Sequence, residues 1–233
     1  MQQTLEAGLR AAGFSRNPIN AGRTDLGVHA RMQVLSMRVV EGVPATEVAE
    51  RLNAQLPEGV GIACSRPAAT GFNAQWSATG KEYRYRLALE DRPGWGPFAW
   101  RVEVDPAKLA GQVAKLVGAR DFFAFHDKGS SRIVRTITRA ALEPVEPGVV
   151  EVQVEGDGFA RYMVRYLVGS AVAVAQGTLD EAVYDAALHE ARVFTKRRAP
   201  AHGLVLWSVA YPLEVDPFPA QDRRKLLERF ARP

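Results

Sequence analysis

The chain has 233 residues, 47% hydrophobic and 24% charged, with 30 Lys and Arg against 26 Asp and Glu for a net charge of +4. That length holds one large domain or two small ones with their own cores, and the modest basic excess suits an anionic partner. A single cysteine, Cys64, excludes an intrachain disulfide, four scattered histidines offer no metal-site spacing, and no apolar run reaches the length of a membrane span.

The first residues lack the charged-then-apolar pattern of a signal peptide, so a reducing, cytoplasmic compartment is expected. Residues 4–12 place Leu5, Leu9 and Ala12 on one helical face, and Gly13 is suited to end that helix. Segment 21–30 reads Ala-Gly-Arg-Thr-Asp-Leu-Gly-Val-His-Ala. Glycines on either side of an arginine, a hydroxyl and a carboxylate let the backbone turn sharply and hold Asp25 at a loop tip. By residue type alone Asp25 fits an Asx turn or a cap as well as a catalytic acid. Residues 31–40, rich in Val, Met and Leu, predict a strand directly after the loop. A helix is predicted over 46–56, with Thr46 as N-cap, Val48, Leu52 and Leu56 recurring every fourth residue, and Pro57 as the stop. A short strand is expected over 60–65. Segment 71–79, Gly-Phe-Asn-Ala-Gln-Trp-Ser-Ala-Thr, leads into 81–89, which alternates strictly. Tyr83, Tyr85, Leu87 and Leu89 fall on one face of that strand, Arg84 and Arg86 on the other.

Two prolines and two glycines at 91–97 mark a linker. The expected division is an N-terminal catalytic subdomain at 1–92 carrying the Asp25 loop, a C-terminal subdomain at 93–211 and a polar tail at 212–233. The second part opens with a strand near 98–104, then a helix from Pro106 with Leu109, Val113, Leu116 and Val117 inward and Gly118 at its end. Segment 118–125, followed by Ser131, Arg132 and Arg135, interleaves aromatics with arginines. Such residues stack on and neutralise RNA, although Phe122 and Phe125 suit a core equally well. Strands at 133–142 and 149–155 form a hairpin through Glu-Pro-Gly, with Val150, Val152 and Val154 inward. Beyond Gly158 a helix runs to about 176, stopped by Gly177, and carries Phe-Ala-Arg-Tyr-Met-Val-Arg-Tyr-Leu-Val-Gly at 159–169. Arg161 and Arg165, four apart, then share a face. They form either a solvated face or, beside Met163, Leu167 and Val168, partly buried charge that requires a counter-ion, for which Asp25 is the natural candidate. Asp180 caps a further helix, 195–198 is a basic turn, 204–211 is a final strand, and 222–230 form a short helix. Strands and helices alternating, with hairpins in each half, argue for an α+β protein.

Five segments together resemble the tRNA pseudouridine synthase A family: 21–30, where the family usually has alanine in place of Leu26; Phe72, Ser77 and Ala78 with Tyr-Arg-Tyr at 83–85; 118–125; the Met-Val-Arg helix at 159–169; and Ala-Pro-Ala-His-Gly-Leu at 199–204. They span nearly the whole chain. The resemblance implies the pseudouridine synthase fold, with two related subdomains whose antiparallel or mixed sheets join into one long sheet with helices on one face. It implies an isomerase that turns uridine into pseudouridine at positions 38, 39 and 40 of the tRNA anticodon stem-loop, acting as a homodimer without metal or cofactor. It gives Asp25 the part of nucleophile, Tyr83 a stacking contact with the target base and Leu204 the apolar floor beneath it. Both Tyr83 and Leu204 also read as ordinary inward strand residues.

The reaction must break N1–C1′, turn the base while holding it, and join C5 to C1′, with no hydride or metal required. One ionised carboxylate can serve as the nucleophile, attacking C1′ or adding to C6, or as the base that abstracts a proton in a glycal pathway. A paired arginine favours the charged carboxylate and fixes its direction, the part given to Arg165. Arg161 is expected to bind substrate, and Arg23 either takes the place of the extruded base or contacts a backbone phosphate. There are two departures. Asn73 and Gln75 stand where the family more often has His and Arg, and the chain opens at the helix that the family precedes with a strand and a loop. Met1 is therefore expected to be an incorrect or shortened start, and the competing reading is an impaired or non-catalytic RNA-binding homologue. An aspartate-dependent phosphatase would need a second carboxylate for magnesium, which Leu26 and Gly27 do not supply.

Overall fold

The computed structural model describes residues 2–14, 18–39, 42–126, 134–190, 194–218 and 223. Ser131, Arg132, Ile133 and, apart from Arg223, the helix expected over 222–230 lie outside the described residues. The helices are α1 (Gln2–Ala11), α2 (Ala45–Asn53), α3 (Pro106–Ala114), α4 (Met163–Ala175) and α5 (Glu181–His189). The strands are β1 (Ile19–Asn20), β2 (His29–Ala30), β3 (Leu35–Ser36), β4 (Gly80–Ala88), β5 (Trp100–Arg101), β6 (Gly118–Asp121), β7 (Val134–Glu146), β8 (Val149–Gly156) and β9 (Leu204–Ala210). They belong to two units. One comprises Met1–Thr24, Gln33–Ala78 and Val209–Pro233, the other Asp25–Met32 and Thr79–Ser208.

In the first unit the apolar stripe of α1 buries Leu5 and Leu9, and the chain ends the helix at Gly13, after which Phe14 N donates back to Leu9 O at 2.8 Å. Leu9, Phe14 and Leu52 form a core with Met37, Val43, Val48, Leu56 and Ile62 around it. The cap of α2 is Pro44, with no side-chain hydrogen bond, so Thr46 lies inside the helix instead of at its start. Proline's fixed φ already presets the entry, and no hydroxyl is needed there. No strand forms over 60–65. Asn53 takes its place as partner, donating to Ile62 O at 2.9 Å and accepting from Ile62 N at 2.7 Å. Nor is 31–40 one strand: the chain passes from one unit to the other after Met32, so β2 pairs with β9 whereas β3 pairs antiparallel with β1.

The second unit is built on a mixed seven-stranded sheet in the order β2-β9-β4-β8-β7-β6, with β5 on β4. It takes strands from both halves of the sequence, and the class is α+β as expected. The alternation in β4 sets Tyr83, Tyr85 and Leu87 opposite Val154, Val152 and Val150 of β8. Its arginine face is covered too. Arg84 and Arg86 reach Glu151 at 3.0 and 3.3 Å, and the Trp207 ring lies 3.7 and 3.8 Å from the guanidinium carbons of Arg31 and Arg84. The segment 91–97 lies within this unit, and Trp95 packs with Ala88, Ala99 and Val149. Only Trp100 and Arg101 of the expected 98–104 strand pair with β4.

Asp105 accepts from Ala107 N at 2.8 Å and Pro106 occupies the first turn of α3, which buries Leu109 and Val113. That helix stops at Ala114, earlier than expected; Val117 is exposed and Gly118 opens β6. Asp180 caps α5 by accepting from Ala182 N at 2.7 Å. Helix α4 is buried almost all round, from Met163 to Ala173. It starts at Met163, later than expected, because Phe159 packs edge-on against Tyr83 and Tyr162 takes a left-handed backbone, φ +64, that breaks the helical path. Arg161 is consequently not on the helix.

Candidate active site

Asp25 opens a four-residue turn that Val28 N closes by donating to Asp25 O at 3.1 Å. The third residue, Gly27, has φ +82, which a glycine adopts without strain; a Cβ there would stand 3.3 Å from that of Ala201. The turn runs straight into β2, whose His29 and Ala30 pair in parallel with Val205 and Leu206, and Arg31 N extends the pairing to Leu206 O at 2.9 Å. His29 is fixed from its other side, with Nε2 3.1 Å from Pro97 O and its ring 5.1 Å from that of Phe98. Leu204, which opens β9 one residue before the partner of His29, is buried.

Arg165 sits in the first turn of α4, and its direction is set by the segment 195–199. Nε donates to Ala199 O at 2.8 Å, while Ala199 N donates to Arg165 O at 3.0 Å. That segment crosses α4 at Gly169, where a Cβ would strike Arg197 O and stand 2.7 Å from Ala199 N. Next to it Ser170 Oγ and Thr195 Oγ1 share a hydrogen bond of 2.6 Å. With Nε anchored, Nη1 lies 3.6 Å from Asp25 Oδ2; the side chains are 11% and 21% exposed. This separation is longer than a hydrogen bond, so the guanidinium balances the carboxylate charge without saturating its oxygens.

Tyr83 completes the group. Its ring is buried, 5.2 Å from that of Phe159. Burial first, and the nearby charge of Asp25 second, push its hydroxyl above the usual phenol range, so it stays neutral. Tyr85, two residues on, donates to Pro200 O at 2.8 Å; burial pushes its hydroxyl up as well, with Arg165 pulling the other way.

Asp25, Arg165 and Tyr83 thus come together, with Leu204 on the strand beside them. Arg161 does not share a helix face with Arg165. It is exposed in the turn before α4 and donates to Tyr162 Oη at 2.8 Å, and the Tyr162 ring also meets Arg198 at 4.7 Å and Arg165 at 5.5 Å. Arg23 is exposed in the first unit, in a segment that Gln33 holds by donating to Gly22 O at 2.7 Å and Thr24 Oγ1 at 3.0 Å. Asn73 caps its own turn, accepting from Gln75 N at 2.9 Å and Trp76 N at 3.0 Å, and Gln75 is exposed.

Sequence reading missed Gln33, Phe159, Tyr162 and the Ala199 carbonyl. The lone amide of Gln33 within an apolar stretch was an available signal, whereas a backbone carbonyl carries none. Among the described residues no group of three or more His, Cys, Asp or Glu is placed to hold a metal ion, and no helix is long and apolar enough to cross a membrane.

Residues 113–212 match a family model described as tRNA pseudouridine synthase. The chain is 35% identical over 227 residues to a tRNA pseudouridine synthase A of Neisseria gonorrhoeae, covering 91% of this chain and 83% of that one. To the protein of the same name from Frankia casuarinae it is 38% identical over 199 residues, covering 82% and 73%. To that from Thermosynechococcus vestitus it is 34% identical over 229 residues, covering 94% and 79%.

Proposed function

Because the chain belongs to the tRNA pseudouridine synthase A family and is therefore an isomerase of tRNA uridine, we propose that it acts at positions 38, 39 and 40 of the anticodon stem-loop, with Asp25 as nucleophile. The observation that carries this reading is the ion pair of Asp25 with an Arg165 whose Nε is itself anchored. A carboxylate that faces a fixed guanidinium is held in direction, and the 3.6 Å gap leaves its oxygens available to the nucleoside. The isomerisation breaks N1–C1′ and forms C5–C1′; the C5 proton is lost and N1 gains one, so composition is unchanged.

In this reading Tyr83 stacks on the uracil and Leu204 lies beneath it, retaining the base while it is detached. The neutral phenol suits stacking, since an ionised one would repel Asp25. Arg161 and Arg23, both exposed, contact the RNA. The reading includes a homodimer cradling tRNA, a cytoplasmic location and related halves at 1–92 and 93–211. The family resemblance supports the dimer and the halves, and the single cysteine suits a reducing compartment.

The test is tritium release from unmodified tRNA labelled at C5 of uridine, comparing the chain with Asp25→Asn. The expected outcome is release by the parent and a fall of at least about 1000-fold in the variant, with folding and tRNA binding retained. Undiminished release by Asp25→Asn would overturn the assignment of the nucleophile. Binding without release by either would favour the non-catalytic RNA-binding reading.

A further inference from the structure

The basic turn at 195–198 is built against α4. Thr195 is buried and bonded to Ser170, Arg197 Nη2 donates to Thr178 O at 3.0 Å, and Ala199, directly after the turn, holds Nε of Arg165. So fixed, the turn leaves Arg198 exposed, with its guanidinium carbon 4.7 Å from the centre of the Tyr162 ring and 5.9 Å from that of Tyr166. Arg161 meets the same Tyr162 ring at 4.7 Å and donates to its hydroxyl, and Arg165 meets it at 5.5 Å. One ring therefore gathers three guanidiniums. Among the described residues only Tyr162 and Lys196 combine a side chain with a left-handed backbone, φ +64 and +55; the first carries that ring and the second lies in the turn. Such backbone is costly and gathers where a site must be held in one shape.

The charges in this cluster are not matched alike. Arg165 faces Asp25 at 3.6 Å, whereas no carboxylate among the described residues pairs with Arg198. An RNA strand that approaches Asp25 brings phosphates toward a carboxylate, and the guanidinium nearest that acid already balances it. Positive charge to offset the strand must come from further out. We propose that Arg198, held on the Tyr162 ring beside Arg161, binds a phosphodiester adjoining the target uridine, its planar fork donating to the two free oxygens. A nucleoside whose sugar reaches Asp25 carries a phosphate on either side of that sugar. Tyr162 links Arg198 to the arginine that faces Asp25, so the cluster stands on the path of one of them. Such a contact reads no base; it sets the register in which the sugar meets the carboxylate. The proposal rests on Asp25 being the reacting carboxylate of a tRNA-uridine isomerase.

The experiment binds unmodified tRNA, end-labelled and sparsely ethylated on its phosphates, to the parent, Arg198→Ala and Arg198→Lys, and maps the ethylated positions excluded from the bound fraction. The site predicts that the parent excludes ethylation at a phosphate adjoining the target uridine and that Arg198→Ala does not. Affinity for intact tRNA should fall about tenfold in Arg198→Ala at low salt, with thermal stability unchanged. The plot of log affinity against log salt should become shallower by about one for alanine and keep its slope for lysine, which retains the charge without the fork. Exclusion at that phosphate by Arg198→Ala as well, or by neither protein, overturns the proposal. So does an Arg198→Ala protein that binds tRNA normally but dissociates in sedimentation, which would assign the turn to a contact between copies of this chain. Tritium release from the same tRNA tests the premise separately. Release by the parent with an unaltered map in Arg198→Ala sinks the phosphate site alone. No release by the parent, or undiminished release by Asp25→Asn, removes the isomerase reading or its nucleophile, and the proposal with it.

Discussion

Arg165 is the residue on which the chemistry of Asp25 depends, through two different bonds. Its charge faces the carboxylate at 3.6 Å, and its Nε is fixed to Ala199 O at 2.8 Å. Lysine keeps the charge but has neither the planar fork nor an Nε donor, so the two contributions separate by substitution. Arg165→Lys is expected to leave the fold intact and lower the single-turnover rate about 100-fold, because the carboxylate is balanced but no longer aimed. Arg165→Ala leaves the acid unpaired as well and costs roughly 1–3 kcal/mol of stability, below the figure for a fully buried pair because Asp25 keeps some contact with water. Urea midpoints and single-turnover rates measured on both variants check this. An Arg165→Ala protein unchanged in both would mean that the ion pair does not exist in solution. Its partner could be named from sequence because an arginine among Met163, Leu167 and Val168 needs a counter-charge. Its orientation could not, because that is set by a main-chain oxygen.

At the scale of elements, the same arrangement explains why α4 carries a glycine in its buried middle. The segment 195–199 lies backbone against backbone on Gly169, and any Cβ there would push Arg197 and Ala199 away. Gly169→Ala is expected to destabilise the protein by about 1–3 kcal/mol and to slow turnover beyond what that loss explains, since displacing Ala199 releases Nε of Arg165. Gly8→Ala in α1 is the control: its new methyl meets the flexible ends of Leu56, at 3.0 Å, and Leu52, at 3.7 Å, and no backbone, so the rate should be unaltered. Equal rate effects from the two substitutions would refute the link from Gly169 to Arg165. The existence of α4 was legible in its apolar run, but its start was not. Tyr162 adopts a left-handed conformation that sequence normally signals with glycine or asparagine, so the sequence pattern carries the helix back to 159 with Arg161 on it. The 31–40 run misleads for a different reason: apolar content marks burial, and of its described residues only Leu35–Ser36 is strand, paired with β1 in the first unit, while β2 ends at Ala30 in the second.

For the whole molecule, the α+β class was legible because period-2 and period-3.6 patterns alternate along the chain. The strand order β2-β9-β4-β8-β7-β6 was not, because pairings between distant segments leave no local trace. The alternation of β4 did foretell its tyrosine face, and that face has a consequence for the stability of the second unit. Tyr83, Tyr85 and Tyr184 are all buried there, and burial is the main cause that pushes each hydroxyl above the usual phenol range. In the unfolded chain these phenols lose their protons near pH 10, while the folded chain retains them. Above that pH the unfolded state binds fewer protons than the folded one, so stability falls as pH rises, by about 1.4 kcal/mol per pH unit for each tyrosine, and is undiminished below it. Urea midpoints taken from pH 8 to pH 11 should therefore stay level to about pH 10 and then drop. Tyr184→Phe separates this from the titration of lysines. It loses the hydrogen bond that Tyr184 donates to Gln112 O at 3.2 Å, costing about 1 kcal/mol at pH 8, yet its alkaline slope should be shallower by one tyrosine's share. Parallel slopes for parent and variant would show that Tyr184 ionises as readily in the folded chain as in the unfolded one, against its enclosure on α5, where the Phe125 ring lies 6.2 Å from that of Tyr184.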